Sequence, residues 1–375
     1  MVDPGAEAVA LLSELVAVDS VNPGLVPGAA GETRIVELLS ERLQRSGFAT
    51  TVVRPPGHND RPSLVAVGPG PADRPTVVLN GHLDTVGAAG MAEPFVPRVE
   101  GDRLFGRGAA DMKGGVAAAV AAAELLVASG SRTRPVLALV ADEEDANLGS
   151  EAVVAALPGL GVRPDACLVA EPTDLALCRS LRGFAVVRVR FAGRAAHSSQ
   201  AELGVNAVTH LGRLLHAVDQ RAPAVRATGG DLMVTWARGG ESPFVVPDRA
   251  ECLVELRTTP DQPSAGALDE VAALLEPAWQ AEAELVAHRD GWRQADTGPA
   301  AALAAGLGTA LGTTGTFDAP YWMEAPLWER LCPTVICGPS GGGLHAVDEW
   351  VDLGQVRALA FALVEVLTEW GPGGH

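Results

Sequence analysis

Two kinds of hydrophobic pattern run along this chain. Some stretches carry apolar residues every three to four positions, as an amphipathic helix does, and others are short unbroken apolar runs of the kind that form buried strands. Residues 6–16 and 31–46 belong to the first kind, with Gly47 as a natural helix stop. Residues 51–53 and 64–67 read as short strands. Thr76-Val77-Val78-Leu79-Asn80 reads as a buried strand running into Gly81-His82-Leu83-Asp84. Residues 95–104 predict a hairpin and 116–128 an alanine-rich helix stopped by Gly130. Residues 135–140 and 166–170 are two more apolar strands, ending in Asp142-Glu143-Glu144 and Glu171-Pro172. A fourth, 334–337, is followed by the glycine-rich run 338–343 and His345, and a helix over 355–370 precedes a loose tail, 371–375.

The middle of the chain reads differently. Strand 185–191, helix 203–218, strands 232–237 and 251–258, helix 264–275 and strand 283–288 follow in β-α-β-β-α-β order, a ferredoxin-like arrangement. The predicted fold class is therefore α/β: a mixed-sheet domain over 1–180 and 290–375, with an inserted ferredoxin-like domain over 181–289.

The length of 375 residues fits two domains. A net charge of −18 argues against nucleic acid as a partner, since a phosphate backbone needs a basic footprint. Five scattered cysteines without a C-x-x-C pair fit free thiols in a reducing compartment. No basic, then apolar, leader opens the chain, and Glu124 and Glu365 break the longest apolar runs. A cytoplasmic protein that does not enter a membrane is expected.

The chemistry collects where the apolar strands end. In α/β sheets ligands bind beyond the carboxyl ends of the strands. His82, Asp84, Glu143, Glu144, Glu171 and His345 would gather there, together with Asp111, which sits between the glycine-rich flanks Gly106-Arg107-Gly108 and Gly114-Gly115 at a helix mouth. Singly, an H-x-D or a Glu-Glu pair is as readily solvated surface. Together, His82, Asp111, Glu144, Glu171 and His345 form a nitrogen-and-oxygen donor set suited to Zn²⁺, with Co²⁺ or Mn²⁺ as substitutes. Five ligands exceed one tetrahedral site, so two metals bridged by a carboxylate are expected. The Asp84 carboxylate would take the second N–H of His82, and Glu143, diverging from Glu144, would be the general base beside the attacking water.

The runs Gly81-His82-Leu83-Asp84-Thr85-Val86, Gly106-Arg107-Gly108 to Asp111-Met112-Lys113-Gly114-Gly115, Asp142-Glu143-Glu144, Ala170-Glu171-Pro172-Thr173 and His345 near Glu349 together resemble the acetylornithine deacetylase and succinyl-diaminopimelate desuccinylase family. That family also holds aminoacylases, dipeptidases and a glutamate carboxypeptidase. The resemblance implies that Asp111 bridges two zinc ions, completed by His82 and Glu171 at one and by Glu144 and His345 at the other, and that Glu143 is the base. It implies a strained peptide bond after Asp111, and a lid and homodimerisation role for the inserted domain. Gly193-Arg194-Ala195-Ala196-His197-Ser198-Ser199, followed by Gly204-Val205-Asn206-Ala207, resembles the family's lid histidine motif. His197 would then stabilise the oxyanion from the partner subunit, Arg257 would hold a substrate carboxylate as a guanidinium does, and Asn206 would contact substrate. Gly342 and Gly343 would let backbone N–H groups approach the substrate, unless their loop is only a flexible connector. One departure stands out: Phe244 occupies the place of an asparagine that binds substrate in much of the family.

The expected activity is dinuclear zinc-dependent hydrolysis of an amide bond in a small molecule that carries a carboxylate, as in deacylation of an N-acyl amino acid. A dipeptidase or carboxypeptidase is the alternative, and a non-catalytic binding protein of the same fold a further one.

Overall fold

The computed structural model describes residues 2–371; the predicted tail beyond Gly371 lies outside the described residues. The chain forms two compact units. One comprises the residues up to Arg179, Gln294–Phe317 and those from Met323 onward; the other comprises Ser180–Arg293 and Asp318–Trp322.

The first unit is built on a six-stranded sheet in the order Ala49–Val53, Ser63–Val67, Arg134–Val140, Thr76–His82, Ala166–Val169, Thr334–Ile336. Among the first three strands each neighbouring pair is antiparallel. The last four are mutually parallel, with Val78 level with Val136 on one side and Cys167 on the other. Every residue of Arg134–Val140 and Thr76–His82 is buried. A parallel strand covered on both faces has no solvent side, which is why these segments read as continuous apolar runs. Because the four are parallel, their carboxyl ends share one edge.

The Gly114–Ser129 helix is the centre of the core. It packs against Pro4–Val16 and Leu353–Thr368 within a single hydrophobic cluster. Ala117, Ala118, Ala122 and Ala123 are fully buried there, and their short side chains let neighbouring helices approach closely. The Ala109–Ser129 stretch is long and apolar enough to cross a membrane by composition, although 72% of the window is buried within the protein. Its apolarity serves the core. Two helices, Leu148–Ala156 and Pro299–Ala310, are absent from the sequence reading. The second carries no charged residue, so it offers no polar stripe for periodicity to detect.

The second unit contains an antiparallel sheet in the order Asp231–Gly239, Arg249–Thr258, Gly183–Ala192, Ala281–Arg289, with the helices Ala207–Ala227 and Ala267–Ala272 between strands in the chain. Burial alternates along Gly183–Ala192. Ala185, Val187 and Val189 enter a cluster with Leu211, Leu214 and Val218 of the longer helix, as a sheet covered on one face requires. Two helix bounds differ from the expectation. The longer helix starts at Ala207 rather than 203, because Asn206 caps it by accepting the Thr209 N–H at 3.1 Å, and it runs on to Ala227. The shorter one is only Ala267–Ala272, preceded by a tight turn at Ser264–Gly266.

Gly115 shows how closely the core helix meets the sheet. A Cβ there would lie 2.1 Å from the Ala170 carbonyl oxygen, on the backbone just before Glu171. Gly115→Ala is expected to destabilise the protein by about 1–3 kcal/mol through overpacking, read as a lower urea midpoint at unchanged slope. An unchanged midpoint would contradict the packing described.

Candidate metal centre

The carboxyl edge of the four parallel strands carries the titratable residues. His82 is the last residue of its strand and is almost fully buried. Its Nδ1 lies 3.0 Å from the Asp84 carbonyl oxygen and its Nε2 lies 2.9 Å from Asp111 Oδ1. The other Asp111 oxygen, Oδ2, lies 3.3 Å from His345 Nε2, which is also 3.2 Å from Glu144 Oε2. Asp111 therefore offers one carboxylate oxygen to each imidazole. Donor atoms of His82, Glu143 and Glu171 lie within 4.8 Å of one another, as do those of His82, Asp111 and Glu144. The six residues thus meet, with half-exposed His345 on the solvent side.

Asp111 reaches this position through an irregular turn, Ala109–Lys113, before the core helix. Its backbone is extended, and the Asp111–Met112 peptide bond is cis. Gly106 and Gly108 on its flank both have positive φ, 152° and 76°, conformations open to glycine at little cost. Glu349 ties the loop down. Its carboxylate accepts from the backbone N–H groups of Gly108 (2.9 Å), Ala110 (3.0 Å) and Asp111 (3.2 Å), and from Arg107 Nη1 at 2.7 Å. Arg107 also donates to the carbonyl of Ala346, next to His345. One buried ion pair thus holds the loops of Asp111 and His345 together.

Charge is crowded at this centre. Burial pushes the Glu143 and Glu171 carboxyls well above the usual range, and neighbouring carboxylates add to it, Glu171 acting on Glu143 and Asp111 on Glu171. Burial likewise raises Glu144. For Asp111 burial works in the same direction, but the hydrogen bonds to His345 and His82 outweigh it and hold the group below its ordinary value. Burial opposes charge on His82, yet its bond to Asp111 and the charge of Glu171 lift it well above the imidazole range. Bonds to Asp111 and Glu144 bring His345 to about 10. Like charges with little water between them repel, and a divalent cation among them reverses that repulsion. Two imidazoles and several carboxylates at this spacing are a donor set that fits a pair of such ions.

The expectation for Asp84 needs correcting. Its carboxylate lies 3.7 Å from His82 Nδ1, and its main-chain carbonyl takes the imidazole contact instead. The carboxylate accepts the N–H groups of Glu143 (3.0 Å) and Glu144 (3.1 Å). Those groups lie beyond the end of their strand, and a buried N–H requires an acceptor. Gly341–Gly342 forms a short strand paired with Val351 and Trp350, so this part of the loop is no flexible connector. A Cβ on Gly341 would lie 1.9 Å from the Trp350 carbonyl oxygen, and one on Gly342 2.7 Å from the indole nitrogen. Contact with Trp350 accounts for both glycines. Gly343 follows with a φ of 67°.

His197, Asn206 and Arg257 belong to the second unit. His197 Nδ1 accepts the Ser199 N–H at 3.2 Å and lies 2.8 Å from Ser199 Oγ. The ring proton is therefore on Nε2, which is left as a donor. Ser198 donates its N–H to the Phe244 carbonyl, so the exposed Phe244 ring is carried beside this histidine's loop. Asn206 uses its side-chain oxygen as a helix cap, leaving the amide NH₂ for other contacts. Arg257 pairs with Glu255 at 2.6 Å and lies over the Phe184 ring. At this centre the sequence gives no sign of the partner of Arg107, nor of Glu324, whose buried carboxylate bonds Ser150 and acts electrostatically on Glu143 and Glu171. Neither carries a local pattern; Glu349 lies 242 residues from Arg107.

The sequence model described as Peptidase family M20/M25/M40 matches residues 78–369. The chain is 27% identical to an acetylornithine deacetylase of Vibrio atlanticus, covering 90% of this chain and 91% of that protein. It is 30% identical to a succinyl-diaminopimelate desuccinylase of Methylibium petroleiphilum (94% and 95%). It is 31% identical to an N-acetyl-L-citrulline deacetylase of Xanthomonas campestris pv. campestris (95% and 96%). Among solved structures, a tripeptidase from Staphylococcus aureus superposes with a TM-score of 0.81 at 17% identity, covering 97% of this chain and 98% of that one. A dinuclear metal-binding peptidase from Bacillus subtilis superposes at 0.72 and 16%, covering 96% and 97%. At these identities the superpositions show a shared fold.

The Arg107–Glu349 pair yields a stability prediction. Both side chains are at most 2% exposed. Glu349→Gln leaves the guanidinium buried without its counter-charge, which typically costs about 3–5 kcal/mol. Denaturant unfolding of the variant should show a loss of that order, whereas a midpoint like that of the parent would mean the pair is not needed.

Proposed function

Because the chain belongs to peptidase family M20/M25/M40, we propose that it is a dinuclear zinc hydrolase that removes an acyl group from the nitrogen of a small amino-acid-like substrate. The observation that carries the reading is Asp111, one oxygen facing His82 and the other facing His345. That is the geometry of a carboxylate shared by two ions. In this reading His82 and Glu171 complete one site and Glu144 and His345 the other, with Co²⁺ or Mn²⁺ able to replace Zn²⁺.

Two zinc ions, when bound, polarise the scissile carbonyl and acidify the attacking water. Glu143 supplies the proton traffic. Its carboxylate takes a proton from the water as the new C–O bond forms, then delivers it to the nitrogen as the C–N bond breaks. Burial and the neighbouring Glu171 raise this carboxyl above its ordinary value, and a carboxylate that is not itself a ligand is the group expected to exchange protons with the water.

The second unit is read as the family's ferredoxin-like lid and dimerisation domain. His197 Nε2–H is proposed to donate to the carbonyl oxygen as negative charge develops on it, from the partner subunit of a homodimer. Arg257 is proposed to hold the substrate carboxylate, leaving Glu255 to do so. Asn206 can contribute only its amide NH₂, and Gly342 and Gly343 only backbone groups. The phenyl ring of Phe244 cannot donate the hydrogen bond of the asparagine it replaces, so the group it meets is expected to be apolar. The three curated relatives described above are a deacetylase, a desuccinylase and a second deacetylase, which favours deacylation over peptide cleavage. Five buried free cysteines fit a cytoplasmic location.

Glu143→Gln should lower kcat about 10²–10⁴-fold on N-acyl amino acids while metal stays bound; near-parental turnover would remove Glu143 from this role. Asp111→Ala should deplete both metals and Glu171→Ala mainly one, measured by elemental analysis. Equal loss from both variants would argue against the bridge. A panel that shows turnover of dipeptides alone would replace deacylation with peptidase activity, and a light-scattering mass of one chain would exclude His197 acting in trans.

A further inference from the structure

Behind the Glu143–Glu144 pair lies a buried polar network that reaches the first sixty or so residues of the chain. Asn22 stands at its centre. Its side-chain oxygen accepts the Gly24 N–H at 2.8 Å, which fixes the orientation of the amide. The NH₂ group then donates to Asp84 Oδ2 at 2.7 Å and Asp142 Oδ1 at 3.1 Å. Asp142 also meets Arg61 Nη1 at 2.7 Å, and Arg61 forks onto Glu32 with its Nη2 at 2.6 Å. Asn22, Glu32, Asp84 and Asp142 are fully buried and Arg61 is nearly so.

The network ends on the backbone that aims the two glutamates. Asp84 accepts the N–H groups of Glu143 and Glu144. Asp142, immediately before them, has a φ of 69°, a left-handed conformation that costs a non-glycine residue energy and persists only where its surroundings hold it. Its side chain is held by Asn22 and Arg61 and accepts the Leu148 N–H, while its carbonyl accepts the Asn147 N–H at 2.6 Å. Glu143 and Glu144 follow this turn directly, and their carboxylates join different donor groups, Glu143 with Glu171 and Glu144 with Asp111. Without the Asn22 amide, the Asp84 and Asp142 carboxylates would face each other with no donor between them.

We propose that Asn22, Arg61 and Glu32 are positioning residues: through Asp84 and Asp142 they hold the turn that aims Glu143 at the reacting water. The inference rests on Glu143 being the base. None of the three contacts substrate or metal in this proposal, so their effect should appear in kcat and not in KM.

The test is a mutant cycle. Asn22→Ala and Arg61→Lys, the second preserving charge while losing the fork, should each lower kcat about 10–100-fold. KM and the metal content at saturating zinc should match the parent. In a Glu143→Gln background either change should add little further loss, because residues acting through one group are not additive. Losses that multiply, a defect confined to KM or metal content, or parental kcat in both single variants would overturn the proposal. Should Asn22→Ala fail to fold, Arg61→Lys and Glu32→Gln carry the same cycle. Near-parental activity of Glu143→Gln itself would reject the base, and the positioning role with it, and is distinguishable from a base that works without these residues.

Discussion

Carboxylates and imidazoles crowd together at one edge of a parallel sheet, where water is scarce and like charges repel. Much of the surrounding structure answers that repulsion. Asp111 is held ionised by two imidazoles. Glu349 carries a compensating guanidinium and three backbone donors. Asp84 and Asp142 share one asparagine amide. Each of these four carboxylates has donors of its own. A site of this kind is costly to a fold that does not use it.

The sheet explains how such a concentration arises from distant parts of the chain. Four parallel strands end on one edge, and each brings the residue that follows it. Asp111 arrives by another route, on the irregular turn that leads into the alanine helix. The close approach of Gly115 to the Ala170 backbone links that helix to the strand end bearing Glu171. Packing in the core and the geometry of the centre are therefore one problem: a methyl group at Gly115 would disturb both.

The second unit follows different physics. Its antiparallel strands alternate buried and open residues, and its helices cover one face. The open face carries charged pairs such as Arg190–Glu284, which is exposed enough to contribute little to stability, and the less exposed Arg257–Glu255. Such a face leaves room for recognition, and the loop of His197 and Phe244 is part of this unit.

Much of this was legible in the chain itself. Fully apolar runs announced the parallel strands, because strands buried on both faces have no polar side. The β-α-β-β-α-β order of the second segment was legible from alternation, and the donor residues from their places after the apolar runs. The helix Pro299–Ala310, which has no polar stripe, was not legible, since periodicity needs contrast, whereas the alanine run of 116–128 was read from its composition. Tertiary structure alone decided which acceptor served which donor. It gave the Asp84 carboxylate to the Glu143 and Glu144 N–H groups rather than to His82, set Gly342 against Trp350, made Asn206 a helix cap, and joined Arg107 to Glu349 and Asn22 to Asp142. Hydrogen bonds and ion pairs between distant residues leave no local period in a sequence, whereas burial of whole elements does, so the sequence determined the elements and the donor set and the folded chain determined their partners.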